Sequence, residues 1–163
     1  MNAIKELITA ASILLALASC GPGNIYEKAV ELPQEGWSYQ DTVCFHFAIK
    51  DTSAHYDFWL DIDHDATYAF QNVYTQFHTT YPDGTKKDQT LSLELADKNG
   101  LWNGTCHGDR CTIHIPLQSN AYFNQSGSYT ICLEQYMRES PITGIRKIQL
   151  AIAKSPEPDE SSR

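Results

Sequence analysis

The chain has 163 residues, 42% of them hydrophobic, and a formal net charge of −8. That length supports one domain with a sizeable core but hardly two. The acidic balance argues against nucleic acid and against electrostatic adhesion to anionic lipid, since both need clustered lysine and arginine.

In chain order, Met1 to Glu6 carries one lysine, Lys5, and Leu7 to Ala18 (LITAASILLALA) is an apolar run broken only by Thr9 and Ser12. That is a signal-peptide layout. A membrane-spanning helix needs about 20 apolar residues, and this run is shorter and stops at small ones. It ends Leu17-Ala18-Ser19-Cys20, which resembles the lipobox of bacterial lipoproteins: an aliphatic residue, two small ones, then the cysteine that becomes the mature first residue. The chemistry explains the order. The Cys20 thiol takes a diacylglyceryl group, the peptidase needs small side chains before its cut, and the freed amine is acylated in turn. A plain secretory signal that happens to end in cysteine, or the start of a buried helix, is the alternative. Each buried methylene contributes ~0.8 kcal/mol, so two or three acyl chains anchor a protein effectively permanently. Gly21, where an aspartate would retain the protein at the inner membrane, makes the outer membrane the default expectation.

These features divide the chain into a signal peptide (1–19), a lipidated tether (20–25), a folded domain (26–154) and a disordered acidic tail (155–163, SPEPDESSR). Within the domain the signal is alternation. Tyr26 to Leu32 gives a first strand. Val43, Phe45, Phe47 and Ile49 then share one face against Cys44 and His46, and Tyr56, Phe58, Leu60 and Ile62 share another against Asp57, Asp61 and Asp63. Val73 to Thr80, Thr90 to Ala96, Thr112 to Leu117, Tyr129 to Met137 and Ile145 to Ala153 come next, separated by Asn-Gly, Pro-Asp-Gly and Ser-Gly turns. About eight short strands and little helix predict an all-β antiparallel sandwich, immunoglobulin-like or jelly-roll-like.

Besides Cys20, the cysteines are Cys44, Cys106, Cys111 and Cys132, which allow three pairings. A hairpin closed by His107-Gly108-Asp109-Arg110 would set Cys106 opposite Cys111, near enough for a bridge. Cys44 and Cys132 with Trp59 between them resemble the immunoglobulin Cys-Trp-Cys framework. Tyr129, however, stands three residues before Cys132 instead of two, which turns Cys132 to the other face. Free thiols remain open.

Cys106, His107, Cys111 and His114 lack the spacing of a zinc site. Asp61-Ile62-Asp63-His64-Asp65 begins like a calcium loop, but Ala66 replaces the turn glycine and Asn72 the closing glutamate, so an exposed strand edge is expected instead. No G-x-S-x-G or phosphate loop is present, and His46, His55, His64 and His78 fall on or beside polar strand faces. The expectation is no catalytic residue, no metal and no cofactor. Trp37, Trp59, Trp102 and nine tyrosines leave a glycan-binding surface as the alternative function, with an envelope hydrolase as a third.

Several segments together resemble the gliding-motility lipoprotein GldH family. They are Tyr68-Ala69-Phe70-Gln71-Asn72-Val73-Tyr74, Tyr81-Pro82-Asp83-Gly84, Leu93 to Asp97 with Gly100 to Gly104, Asn120 to Phe123, Gly127-Ser128-Tyr129, and Glu134 to Arg138 followed by Ile142 to Ile145. The resemblance spans residues 20 to 153. It implies a non-catalytic envelope lipoprotein associated with gliding and the linked type IX secretion apparatus, acting as an assembly or stabilising component. The expected partners are the membrane, through the lipid, and an envelope protein complex, met from an outer-membrane position facing the periplasm. Gln135 to Gly144, around Met137, Arg138 and Pro141, is the candidate partner surface, with an ordinary strand exit and loop as the alternative.

Overall fold

The computed structural model describes residues 23–156. Cys20, the signal peptide and residues 157–163 lie outside the described residues. Nine strands run in order: β1 (Tyr26–Glu31), β2 (Val43–Ile49), β3 (His55–Asp65), β4 (Asn72–Thr80), β5 (Lys86–Glu94), β6 (Thr105–His107), β7 (Arg110–Tyr122), β8 (Gly127–Gln135) and β9 (Ile145–Lys154). Among the described residues there is no helix.

The strands form two antiparallel sheets, ordered β1-β9-β3-β7-β6 and β2-β8-β4-β5. Setting aside the three-residue β6, these orders are those of two interleaved Greek keys, a jelly roll. Of the two expected sandwich types, the jelly roll is the one formed. The period-2 pattern explains which residues are inside. Val43, Phe45, Phe47 and Ile49 from β2 meet Tyr56, Phe58, Leu60 and Ile62 from β3 across the interlayer, and all eight are buried. Burying each such side chain contributes about 1.5–3 kcal/mol, which is why register is strongly specified here.

Two irregular segments are tied down at opposite ends of the sandwich. Trp37 is fully buried and pairs its backbone with Ile142, accepting and donating at 3.0 and 2.8 Å, which pins the β1–β2 connection onto the β8–β9 connection. Gly36 precedes it at φ +115°, and a Cβ there would lie 2.6 Å from the Ile142 carbonyl oxygen, so only glycine fits. At the other end, Ser155 donates from its amide to the His55 carbonyl and from Oγ to Asp57, so the chain stays attached to β3 just past β9.

Candidate partner-binding face

The segment after β8 is held from three sides. The buried Gln135 amide accepts from the Met137 N–H at 2.8 Å and donates to the Glu139 carbonyl at 3.0 Å, closing the backbone into a tight exit. Tyr39 donates its hydroxyl to the Met137 carbonyl at 2.8 Å, and its own N–H bonds to Ser140 Oγ at 3.1 Å. On the β4 side, the Tyr74 carbonyl accepts from the Tyr136 N–H at 2.7 Å, and the Tyr74 N–H points at Met137 Sδ.

What this fixed backbone displays is apolar and aromatic. Tyr136 is 64% exposed, Tyr39 49% and Tyr74 47%, although each sits on hydrogen-bonded backbone. Tyr74 and Tyr136 line a shallow groove on the outer face of the four-stranded sheet with Phe70, Met137 and Arg138, and Tyr39 bonds to the backbone beside it. Met137 is half-buried and Arg138 exposed in this lining, while Pro141 is exposed outside it. The structure thus gathers Met137 and Arg138 with Tyr74 and Tyr136 in one groove and sets Tyr39 against its backbone, whereas Pro141 does not line it. Tyr39 and Tyr74 carry no local signal in the sequence, because only the fold brings them to residue 137.

The other motifs are placed elsewhere. Asp61 to Asp65 is not an exposed edge: it ends β3, flanked by β7 and β9, with Asp63 and His64 buried. Its carboxylates are engaged structurally. Asp61 pairs with His114, Asp63 takes Lys147 Nζ and Thr112 Oγ1 at 2.7 Å each, and Asp65 receives Arg146. His64 is not solvated either. The strand runs past Ile62, so the even-numbered parity of its inner face carries His64 inside, against Trp102, with its Nδ1–H donating to the Asp65 carbonyl. His46 and His55 are exposed, and His78 is half-exposed. The three tryptophans make no sugar platform: Trp37 is core, Trp59 is covered by the His114 ring at 4.4 Å, and Trp102 packs on His64. A cavity of about 150 Å³ lies between the sheets, lined by Phe47, Phe58, Phe77 and Phe123 with Lys87 and Gln89 at its mouth.

Both cysteine pairs are bridged. Cys106 and Cys111 face each other at the base of the β6–β7 hairpin. Cys44 and Cys132 are bridged as well, although the immunoglobulin framework would turn them apart. That framework links one sheet to the other, whereas here β2 and β8 are neighbours in one sheet and the two residues are direct partners with Cα atoms 4.1 Å apart.

Asp65 is the most heavily charged junction. Arg146 donates Nε to both of its oxygens, at 2.9 and 3.0 Å, and holds the carboxyl below the usual carboxylate range. A depressed folded-state pKa stabilises the fold above the unfolded value of about 3.9, and that contribution is lost as pH falls through the folded value. Arg146→Met is therefore expected to lower stability by about 1–3 kcal/mol at pH 7 and to flatten the acid limb of the stability curve below about pH 4. Urea titrations at a series of pH values read both effects; an unchanged acid limb would remove Asp65 as its source.

With two disulfides, two Greek keys and the β3 carboxylates Asp61, Asp63 and Asp65 held in structural pairs, the molecule is a disulfide-stapled β-sandwich domain of the jelly-roll class. The model of the GldH lipoprotein family matches residues 24–152, and the chain belongs to that family. It is similar to the gliding motility lipoprotein GldH homolog of Christiangramia forsetii, 23% identical over 137 residues covering 83% of each chain. The gliding motility lipoprotein GldH of Flavobacterium johnsoniae is 22% identical over 136 residues, covering 83% of this chain and 84% of that one. Among solved structures, a 4-O-methyl-α-glucuronidase with specificity for decorated arabinogalactans superposes with a TM-score of 0.41 and 10% identity, over 86% of this chain and 19% of that one. The Xyl-CBM35 module in complex with a glucuronic-acid-containing disaccharide gives 0.32 and 16%, over 86% and 93%.

Proposed function

We propose that this protein is a lipid-anchored, non-catalytic component of the gliding machinery of the cell envelope that works by docking a protein partner on the groove of Tyr74, Tyr136, Met137 and Arg138, whose backbone Tyr39 braces. Family membership and the names of the relatives support the lipoprotein and gliding parts. Cys20 supplies the anchor and residues 20–25 the tether, with the domain facing the periplasm from the outer membrane. Assembly or stabilisation of the linked secretion apparatus is the task we assign to the docked complex.

The observation that carries the docking role is the exposure of Tyr136 on a backbone bonded from both flanks. Tyr, Met and Arg are the side chains enriched at interface centres, and a surface already ordered before binding loses little entropy on contact. The test is capture from detergent-solubilised membranes of the native host, comparing the acylated wild type with Tyr74→Ala/Tyr136→Ala and with Arg138→Ala. Loss of a hot spot is worth ~2 kcal/mol or more, so the double variant should bind its partner at least about 30-fold more weakly while staying folded. Recovery of general porins and lipoproteins alone, equally by wild type and variant, would rule the face out. Cys20→Ala should leave the protein unacylated and free of the membrane pellet.

A further inference from the structure

The same outer sheet face carries a row of four residues that the docking role does not use. Cys44 on β2 is the direct partner of Cys132 on β8, Cys132 of His78 on β4, and His78 of Asp88 on β5. The row runs straight across the sheet, each strand about 4.8 Å from the next. His78 Nδ1 lies 2.8 Å from Asp88 Oδ1, so the carboxylate holds the proton on that nitrogen and orients the ring. Its Nε2 is turned toward β8, buried and without a hydrogen-bond partner; the Glu134 carboxylate stands 3.7 Å away. An imidazole oriented by a carboxylate, on the strand next to a bridge cysteine, is a group that can serve a leaving thiolate.

We infer that the Cys44–Cys132 bridge is a thiol–disulfide exchange site whose co-substrate is a protein dithiol of the envelope. Position decides which sulfur is attacked. Displacement at sulfur proceeds with the attacking, central and leaving atoms in line. Cys44 stands on β2, the edge strand of its sheet, whereas Cys132 stands on β8, between β2 and β4. An incoming thiolate therefore bonds to Cys44 Sγ, the Cys44–Cys132 bond breaks, and its electron pair leaves on Cys132 Sγ. That sulfur takes a proton by way of His78, the register partner of Cys132 on β4, or from solvent. The second thiol of the dithiol then attacks the mixed disulfide and releases Cys44. Two electrons and two protons pass from the dithiol, now a disulfide, to the pair of cysteines.

The other bridge is built differently. Cys106 is exposed on the three-residue β6 but Cys111 is fully buried, and the histidine paired with Cys111, His64, has an unpartnered Nε2 yet spends its Nδ1–H on a backbone carbonyl and not on a carboxylate. Exchange is independent of the docking role, because it is measurable on the isolated protein with small thiols.

The experiment takes the oxidised full chain in detergent, pulses it with dithiothreitol, traps free thiols by alkylation and assigns them by peptide mass. In wild type, Cys44 and Cys132 should be released well before Cys106 and Cys111. His78→Gln should slow the first pair about ten- to hundredfold and leave the second unchanged. Asp88→Asn, which keeps the ring but loosens it, should slow the first pair by a smaller factor and stands in if the glutamine variant misfolds. A glutathione pulse should place the adduct on Cys44. Equal slowing of both bridges, no slowing of either, or an adduct on Cys132 would overturn the assignment.

Discussion

Trp37→Ala should lower the free energy of unfolding by about 3–5 kcal/mol, a large share of the 5–15 kcal/mol typical of a domain. Three contributions act together. The indole is fully buried in the main core cluster, so its removal leaves a cavity that surrounding strands cannot collapse to fill. Its Nε1–H donates to the Asp41 carbonyl at 2.6 Å, which would lose its partner. The backbone bridge to Ile142 would also loosen, and with it the connection that carries Arg138 and the Tyr39 contacts. Urea denaturation should show a lower midpoint with an unchanged slope. Trp59→Ala, which removes a half-buried ring on the outer face of the other sheet, should cost about 1 kcal/mol or less. Equal losses from the two substitutions would mean that the β1–β2 connection does not derive its order from Trp37. A partner that binds the groove should also bind the Trp37 variant more weakly, although no contact residue has changed.

That coupling shows what the sequence does and does not reveal. Strands with one buried face are legible: β2 alternates throughout and β3 as far as Ile62, and each apolar residue named from the pattern is inside. Where burial gives out, so does the signal. Lys86 to Gln89 opens β5 on an exposed sheet edge with no apolar partner to alternate against, so the strand starts ahead of its pattern. β7 runs on past Leu117 through Gln118, Ser119 and Asn120 for the same reason, and β6 is too short to have a period. His64 is hidden by the aspartates around it, although the parity of β3 holds to the end of the strand. The order of strands within the sheets, and hence the Cys44–Cys132 link, is non-local: β2 and β8 are separated by most of the domain, and nothing in either strand names the other. The groove obeys the same rule. Residues 135–144 are contiguous and visible as an irregular exit from a strand, but Tyr39 and Tyr74 join them only through sheet pairing and the Trp37 bridge.

Non-local closure also sets the relative weight of the two disulfides. Cys44→Ala/Cys132→Ala opens a loop of 88 residues and Cys106→Ala/Cys111→Ala one of 5. If each bridge acts by restricting the unfolded chain, the first removal should cost about 4.5 kcal/mol and the second about 2 kcal/mol. The native side points the same way. β2 is an edge strand paired with β8 alone, and it delivers Val43, Phe45, Phe47 and Ile49 to the core, so loosening it exposes apolar surface that β6 does not possess. Denaturant titrations of the two double variants against the oxidised wild type measure the difference. A larger loss for the hairpin pair would mean that the unfolded chain is already constrained near β2 and β8, and the long loop would then contribute little. The expected ranking ties stability to chemistry. The bridge that dominates the fold's cohesion is the one laid in line with His78 and Asp88, so a dithiol that opens it would release an edge strand of the face on which Tyr74 and Tyr136 stand.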